Sequence, residues 1–283
     1  MIELFIIICI LVMLLFYKQK KVTFNNVLNN HKPYLWIYWQ GYMPAYIRLC
    51  IKSAYQHCSK SFNIKLLNDK SVYKFIPEKQ HLHTKLEKLL IAQKVDYYRI
   101  YLLYKYGGLY IDADTLILRD PIEIIEKLKT YDYVGFGCTG QVCNYGYGRP
   151  SNGIMASRAK GVLIEKILRN IETVLISNIA PDNYFTLGKY IIWHELEELI
   201  KKHRYVYYHY SNDYDGTRDR DGKWVTAQRL FSNKNIDYAK PNELMFIVLY
   251  NSNMSEYKKL TEEEILLSDS VISYYFKKSL MKN

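Results

Sequence analysis

The chain has 283 residues, 49% apolar and 24% charged, enough for one large domain with a buried core and unlike a disordered polymer. Its net charge of +11 suits an anionic ligand or an anionic membrane surface; the lysines are scattered, with no arginine-rich block or nucleic-acid motif, so no nucleic-acid partner is expected. Five cysteines, an odd number, exclude a disulfide framework and fit free thiols.

Leu4 to Phe16 is an unbroken apolar run, flanked by Ile2 and Tyr17 and followed by Lys18, Lys20 and Lys21. It lacks the basic start and small-residue cleavage site of a secretory signal, so it predicts an uncleaved single-pass membrane anchor over 1–21. The basic cluster behind it predicts a catalytic domain on the cytoplasmic side. Residues 22–32 read as a polar linker, and 33–283 as one domain.

Tyr34 to Trp39 is an aromatic, apolar strand, Pro44 opens a helix over Ala45 to His57, and Phe62 to Leu67 is a second strand. That order is a βαβ opening of a mostly parallel sheet. Thr84 to Tyr106 carries Leu86, Leu89, Leu90, Gln93, Tyr97, Ile100 and Tyr104 at steps of three and four, an amphipathic helix that Gly107-Gly108 stops. Leu109 to Ile111 is a short strand leading into Asp112-Ala113-Asp114. Further strands are predicted at Tyr131 to Phe136, Asn152 to Ser157, Tyr205 to Tyr210 and Leu244 to Tyr250. Helices are predicted at Gly161 to Ser177, Phe185 to His203 and from Thr261 onward, and Gly137 to Gly148 is a glycine-rich loop.

Asp112 and Asp114 stand two apart in an extended chain, so their side chains project to one side. An apolar strand delivers them to the carboxyl edge of a sheet, where open α/β sheets bind ligands. Crowded carboxylates repel, and a hard divalent cation relieves that repulsion and can bridge two phosphates. A bare Asp-x-Asp is common in surface turns; the preceding strand and the helix bearing Asp96 and Arg99 give this one weight. Asp96 can accept from sugar hydroxyls and Arg99 can pair with phosphate, or the two form an ordinary helix-surface ion pair.

The stretch from Asp96 through Arg99, Tyr106, Gly107-Gly108 and Asp112 to Asp114 resembles the DXD signature of glycosyltransferase family 32 and the related capsular polysaccharide synthesis proteins. Trp36-Ile37-Tyr38-Trp39-Gln40-Gly41 is similar to the tryptophan-bearing first strand of that group, and Ser151 to Ser157 to a later strand. The resemblance implies a GT-A fold, Rossmann-like with flanking helices, a UDP- or GDP-sugar donor, Mn²⁺ or Mg²⁺, and retention of anomeric configuration. It also implies a glycan or lipid-linked acceptor, hence polysaccharide biosynthesis. Asp112 and Asp114 would be catalytic and metal-binding, with His209, Asn212 or Asp213 as candidate third ligands and His209 taken first. Asp96 and Arg99 would contact donor sugar and phosphate, Trp36 the base, and Tyr106, Gly108 and Asn152 would complete the substrate site. Val95 stands where the family has serine.

Two rivals are set against this. Leu109 to Thr115 resembles the nucleophile motif of haloacid-dehalogenase-type phosphatases, with Asp112 attacking phosphorus, but that motif follows the first strand of its domain and this one follows a βαβ unit. A non-catalytic, transferase-like glycan-binding protein is the other. Asp213 to Gly222 resembles a calcium loop but lacks its late glutamate, leaving a surface loop or a partly ordered loop over the donor.

Overall fold

The structure, a computed structural model, describes residues 32–77, 82–137, 149–177, 186–202 and 206–281. The anchor expected at 1–21 and the linker up to residue 31 lie outside the described residues, as do Cys138 and Cys143 and the loop through Gly148. Among the described residues no helix is long and apolar enough to cross a membrane.

Strands β1 (Tyr34–Tyr38) and β2 (Asn63–Leu67) are parallel, joined by helix α1 (Ala45–Cys58), which starts directly after Pro44. β3 (Gly108–Asp112) lies parallel to β1 on its other side. β4 (Thr115–Ile117) leaves this sheet, while β5 (Tyr133–Gly137), β6 (Pro150–Ser157) and β7 (Tyr207–Ser211) complete it in the order β2-β1-β3-β6-β5-β7. β6 pairs antiparallel with both β3 and β5, and β5 pairs parallel with β7, so every strand but β6 runs the same way. This is a mixed α/β fold around a mostly parallel sheet, as the βαβ opening predicts. The second sheet is the ribbon of β4 with β8 (Phe246–Val248).

Between β2 and β3 come α2 (Asp69–Val72), α3 (His83–Leu86) and the long α4 (Ile91–Tyr106). The single helix expected from Thr84 to Tyr106 is thus two. Leu90 is extended at ψ 148, and the Gln93 side chain accepts its N–H at 3.1 Å, a local cap that restarts the helix without glycine or proline. After β4 come α5 (Ile122–Lys127), α6 (Val162–Ile176) and α7 (Lys189–Ile200). Then follow α8 (Ala227–Ser232), which no apolar period announced, and α9 (Glu262–Leu267) and α10 (Val271–Leu280). The terminal helix is interrupted because Ser270 caps a new start on the Ser273 N–H.

Trp36, Tyr38 and Tyr110 alternate with Leu35, Ile37, Leu109 and Ile111, and both sets are buried. The aromatic face packs with α4, α6 and α7. α1 packs against the β4–β8 side, where Ser53 Oγ accepts the Ile117 N–H at 2.9 Å. Gly107 and Gly108 fix how α4 feeds β3. Both have positive φ, and a Cβ on Gly108 would stand 2.3 Å from the Tyr34 carbonyl oxygen. Only glycine lets β3 start this close to β1.

Candidate active site

β3 ends on Asp112, and the turn at Ala113-Asp114 carries the chain into β4. Because β4 pairs with β8, Thr115 opposite Val248, the residues after β8 come back across that turn. Leu249 donates its N–H to the Asp114 carbonyl at 3.0 Å, and Asn251 donates its N–H to Asp114 Oδ2 at 2.6 Å. Tyr250, between them, has φ 53, a left-handed conformation that a bulky residue holds only when its surroundings impose it. Tyr46 on α1 donates its hydroxyl to the Asn251 side-chain oxygen and so braces the same segment.

Asp112 is held from the other side. Arg99 Nη2 lies 3.1 Å from Asp112 Oδ1, and the Tyr110 hydroxyl donates to that oxygen at 3.2 Å. The same guanidinium is 3.6 Å from Asp96 Oδ1, donates to the Asn152 carbonyl and lies 4.7 Å over the Tyr110 ring. Asn152 Nδ2 in turn donates to Asp96 Oδ1 at 2.8 Å. Gly188, just before α7, closes over this group: a Cβ there would stand 2.3 Å from Asp96 Oδ2.

Each aspartate of the pair therefore has one oxygen tied to the protein and one open. Asp112 Oδ2 makes no hydrogen bond among the described residues, and it faces Gly153 of β6, where a Cβ would come within 2.9 Å. Asp114 Oδ1 is buried and has no hydrogen-bond partner among the described residues. Leaving a buried carboxylate oxygen unpaired costs roughly 1–3 kcal/mol or more, so it calls for a partner of another kind. Burial pushes the Asp114 carboxyl up to about 6, with Asp112 beside it adding to the rise and the Asn251 N–H opposing it. Burial likewise pushes Asp96 up to about 6 and raises Asp112, with Arg99 opposing in both. Two open oxygens on crowded carboxylates, with room kept by a glycine, fit a divalent cation. Among the described residues no third His, Cys, Asp or Glu joins them.

Of the residues singled out in the sequence, Asp96, Arg99, Asp112, Asp114 and Asn152 come together. Arg99 is 6% exposed and engaged on several sides, so here it positions Asp112 and Asp96 rather than presenting a free fork to phosphate. Other expectations are corrected. Trp36 is wholly buried in mid-strand, stacks on Tyr34 at 4.5 Å and donates its indole N–H to the Gly107 carbonyl at 2.9 Å, so it has no face for a base. Gly108 begins β3, four residues or roughly 13 Å from Asp112, and Tyr106 ends α4 before it; the Tyr106 hydroxyl bonds the Phe75 carbonyl at 2.9 Å.

His209 on β7 is abreast of Gly135 and three inter-strand steps from β3, roughly 14 Å. Its ring nitrogens engage the Gly137 carbonyl and the Tyr207 hydroxyl, both at 2.9 Å. It is not brought to the aspartates, nor is Asp213, whose carboxylate accepts from Ser211 at 3.1 Å; the Asn212 side chain lies outside the described residues. The acidic stretch 213–222 is not a plain surface loop. Asp215 is buried and accepts from the Thr217 N–H and hydroxyl, and Asp219 pairs with Arg229 at 2.7 Å. What sequence reasoning missed is Tyr46, Gly153, Gly188 and the 249–251 segment. Gly153, a glycine inside a strand, was the one readable signal of a close approach.

Residues 18–131 match the family described as the glycosyltransferase sugar-binding region containing DXD motif, less than half of the chain. The only Asp-x-Asp in that range is Asp112-Ala113-Asp114. Residues 18–131 thus resemble a DXD sugar-transferase region. No curated protein matches the chain. Among solved structures it is similar to the PaToxG glycosyltransferase, at 14% identity, covering 65% of this chain and 78% of that one with a TM-score of 0.46. It is also similar to the glycosyltransferase GlyE in Streptococcus pneumoniae TIGR4, at 12% identity over 89% of this chain and 61% of that one, TM-score 0.46. A third likeness is to a glycosyltransferase involved in the glycosylation of the major capsid of PBCV-1, at 11% identity over 81% and 97% of the two chains, TM-score 0.47. No residue role passes from these three to this chain. Within the DXD region, Asp112 and Asp114 are the pair whose open oxygens are described above.

Proposed function

We propose that the chain is a GT-A glycosyltransferase that takes a hexose-type sugar from a nucleotide-diphosphate donor, UDP- or GDP-linked, and passes it to a glycan or lipid-linked acceptor with retention. The observation that carries this reading is the open oxygen on each DXD aspartate, one of them buried and unpartnered. Mn²⁺ or Mg²⁺, when bound there, would stabilise charge on the departing diphosphate. Asp112 and Asp114 hold that site, Arg99 and the 249–251 segment fix their orientation, and Asp96 with Asn152 fixes Arg99. In a front-face transfer the acceptor oxygen bonds to the anomeric carbon as the carbon–oxygen bond to the diphosphate breaks, and a leaving-phosphate oxygen takes the acceptor proton. No protein nucleophile is assigned. The apolar run of 4–16 and the lysines after it support a membrane-anchored enzyme with its domain on the cytoplasmic side, which protease protection of a C-terminal reporter would overturn.

The test is a thermal-shift screen of UDP-, GDP- and CDP-sugars with and without Mn²⁺, followed by donor hydrolysis and transfer assays on Asp112→Asn and Asp114→Asn. The expected result is a metal-dependent shift with at least one donor, and loss of hydrolysis and transfer in both folded variants. Full activity in both variants refutes the metal role; hydrolysis of small phosphate esters without nucleotide binding would turn the reading to a phosphatase.

A further inference from the structure

The turn that follows Asp215 leans against the DXD pair through a short chain of contacts. Gly216 packs on the β8 backbone, where a Cβ would stand 3.0 Å from the Phe246 carbonyl oxygen, and Val248 donates its N–H to the Asp215 carbonyl at 3.3 Å. Arg218 and Trp224 form an isolated antiparallel bridge that closes the turn. The Arg218 guanidinium lies 5.0 Å over the Trp224 ring, and that ring is 5.1 Å from Tyr250, the residue held between the two that bind Asp114. Trp224 is 43% exposed, so this stack borders solvent beside the pair.

The other cations of this segment have acidic partners. Arg220 pairs with Asp237 at 3.2 Å, Lys223 with Asp221 at 3.9 Å and Arg229 with Asp219 at 2.7 Å. Among the described residues Arg218 has no ion pair; its one hydrogen bond is to the Gly222 carbonyl at 3.4 Å. A half-buried arginine stacked on an aromatic ring keeps its planar fork ordered, which favours bidentate pairing with phosphate. The Tyr250 hydroxyl lies within electrostatic range of Asp215, Asp114, Arg218 and Asp112.

We propose that Arg218, held by Trp224, is a binding residue for the diphosphate of the donor, beside the 249–251 segment that braces Asp114. The inference rests on the nucleotide-sugar reading above and adds to it the protein cation that faces the phosphates. Arg218 would discriminate a nucleoside diphosphate from a monophosphate, because the second phosphate offers it further anionic oxygens to pair with.

The test uses the full chain with Mn²⁺, and UDP, GDP and CDP as probes, each beside its monophosphate, on wild type, Arg218→Gln, Arg218→Lys and Trp224→Phe. For the diphosphate that wild type binds, Arg218→Gln is expected to weaken binding roughly tenfold to a hundredfold. The monophosphate should bind unchanged, and Arg218→Lys should fall between. Melting without nucleotide should be unaltered, which separates this role from closure of the turn. The fluorescence change on diphosphate binding should vanish in Trp224→Phe. Equal loss for diphosphate and monophosphate, or unaltered diphosphate binding in Arg218→Gln, overturns the assignment while leaving the transferase reading in place. Failure of wild type to bind any of the three diphosphates sinks both.

Discussion

Replacing Arg99 with leucine should expose how the acidic group is held. Arg99 is 6% exposed, lies 3.1 Å from Asp112 and 3.6 Å from Asp96, and packs over Tyr110. Removing one partner of a buried ion pair leaves an uncompensated buried charge, at a cost of about 3–5 kcal/mol. For a chain of this size each kcal/mol lowers the melting temperature by about 2–4 °C, so the drop should be roughly 6–20 °C. The loss should also depend on pH. Asp96 titrates near 6 in the folded chain against an ordinary 3.8, so below 3.8 its carboxyl adds nothing against folding, and its cost builds through 6 as the pH rises. Arg99 is the main influence lowering that value, so without it the folded carboxyl moves higher still and the cost at pH 7.5 grows. Urea unfolding of both proteins in EDTA at pH 7.5 and pH 5.0 measures this: the variant's penalty should shrink on acidification. A penalty below about 1 kcal/mol at pH 7.5, or the same penalty at both pH values, would refute the role given to Arg99.

Three further outcomes are expected. Mn²⁺ should raise the melting temperature of wild type but not of Asp114→Asn, since the open Oδ1 is lost as an anionic ligand; equal stabilisation of both by differential scanning fluorimetry would contradict the site. Gly188→Ala places a methyl 2.3 Å from Asp96 Oδ2 and 2.7 Å from Asn152 Nδ2, so it should cost about 1–3 kcal/mol in unfolding and reduce kcat/KM for transfer at least about tenfold, whereas an unchanged kcat/KM would show that Asp96 is remote from the reaction. Trp36→Phe should destabilise by about 1–3 kcal/mol in urea unfolding while leaving donor affinity unaltered, because its indole bonds only Gly107; a specific loss of nucleotide binding would restore the base-contact role.

Asp112, Asp114 and their approach strand were legible because strand alternation, the double-glycine stop and the helix before it are local properties. Asp96, Arg99 and Asn152 were placed beside them, but the enclosure of Arg99 was not foreseen. Nothing local shows that Arg99 is engaged on several sides by β3, β6 and α4. Trp36, Tyr106 and Gly108 show the opposite case: they build the junction of α4, β1 and β3, which looks the same in a string as a binding contact. The bracing of Asp114 was invisible because the donor is a backbone N–H, delivered by the pairing of β4 with β8 across most of the second half of the chain. Likewise 213–222 read as solvated because its aspartates look polar, whereas Asp215 and Asp219 satisfy buried donors.

The charge balance of the site links these observations. Asp96, Asp112 and Asp114 converge with Arg99 as the one cation in direct contact among the described residues, which leaves two negative charges uncompensated there when all three are ionised. Burial pushes two of the carboxyls up to about 6, and a divalent cation on the open oxygens would cancel the imbalance. On the proposed function, a donor diphosphate would add at least two negative charges, more than one divalent cation shared with the aspartates can offset. Arg99 cannot turn to them without releasing Asp112. The cation in reach through Tyr250 is Arg218, and it is the one in its segment without an acidic partner among the described residues. On this proposal the two arginines divide the work by burial: the enclosed one would shape the metal-binding pair, and the one at the solvent edge would meet the ligand that arrives.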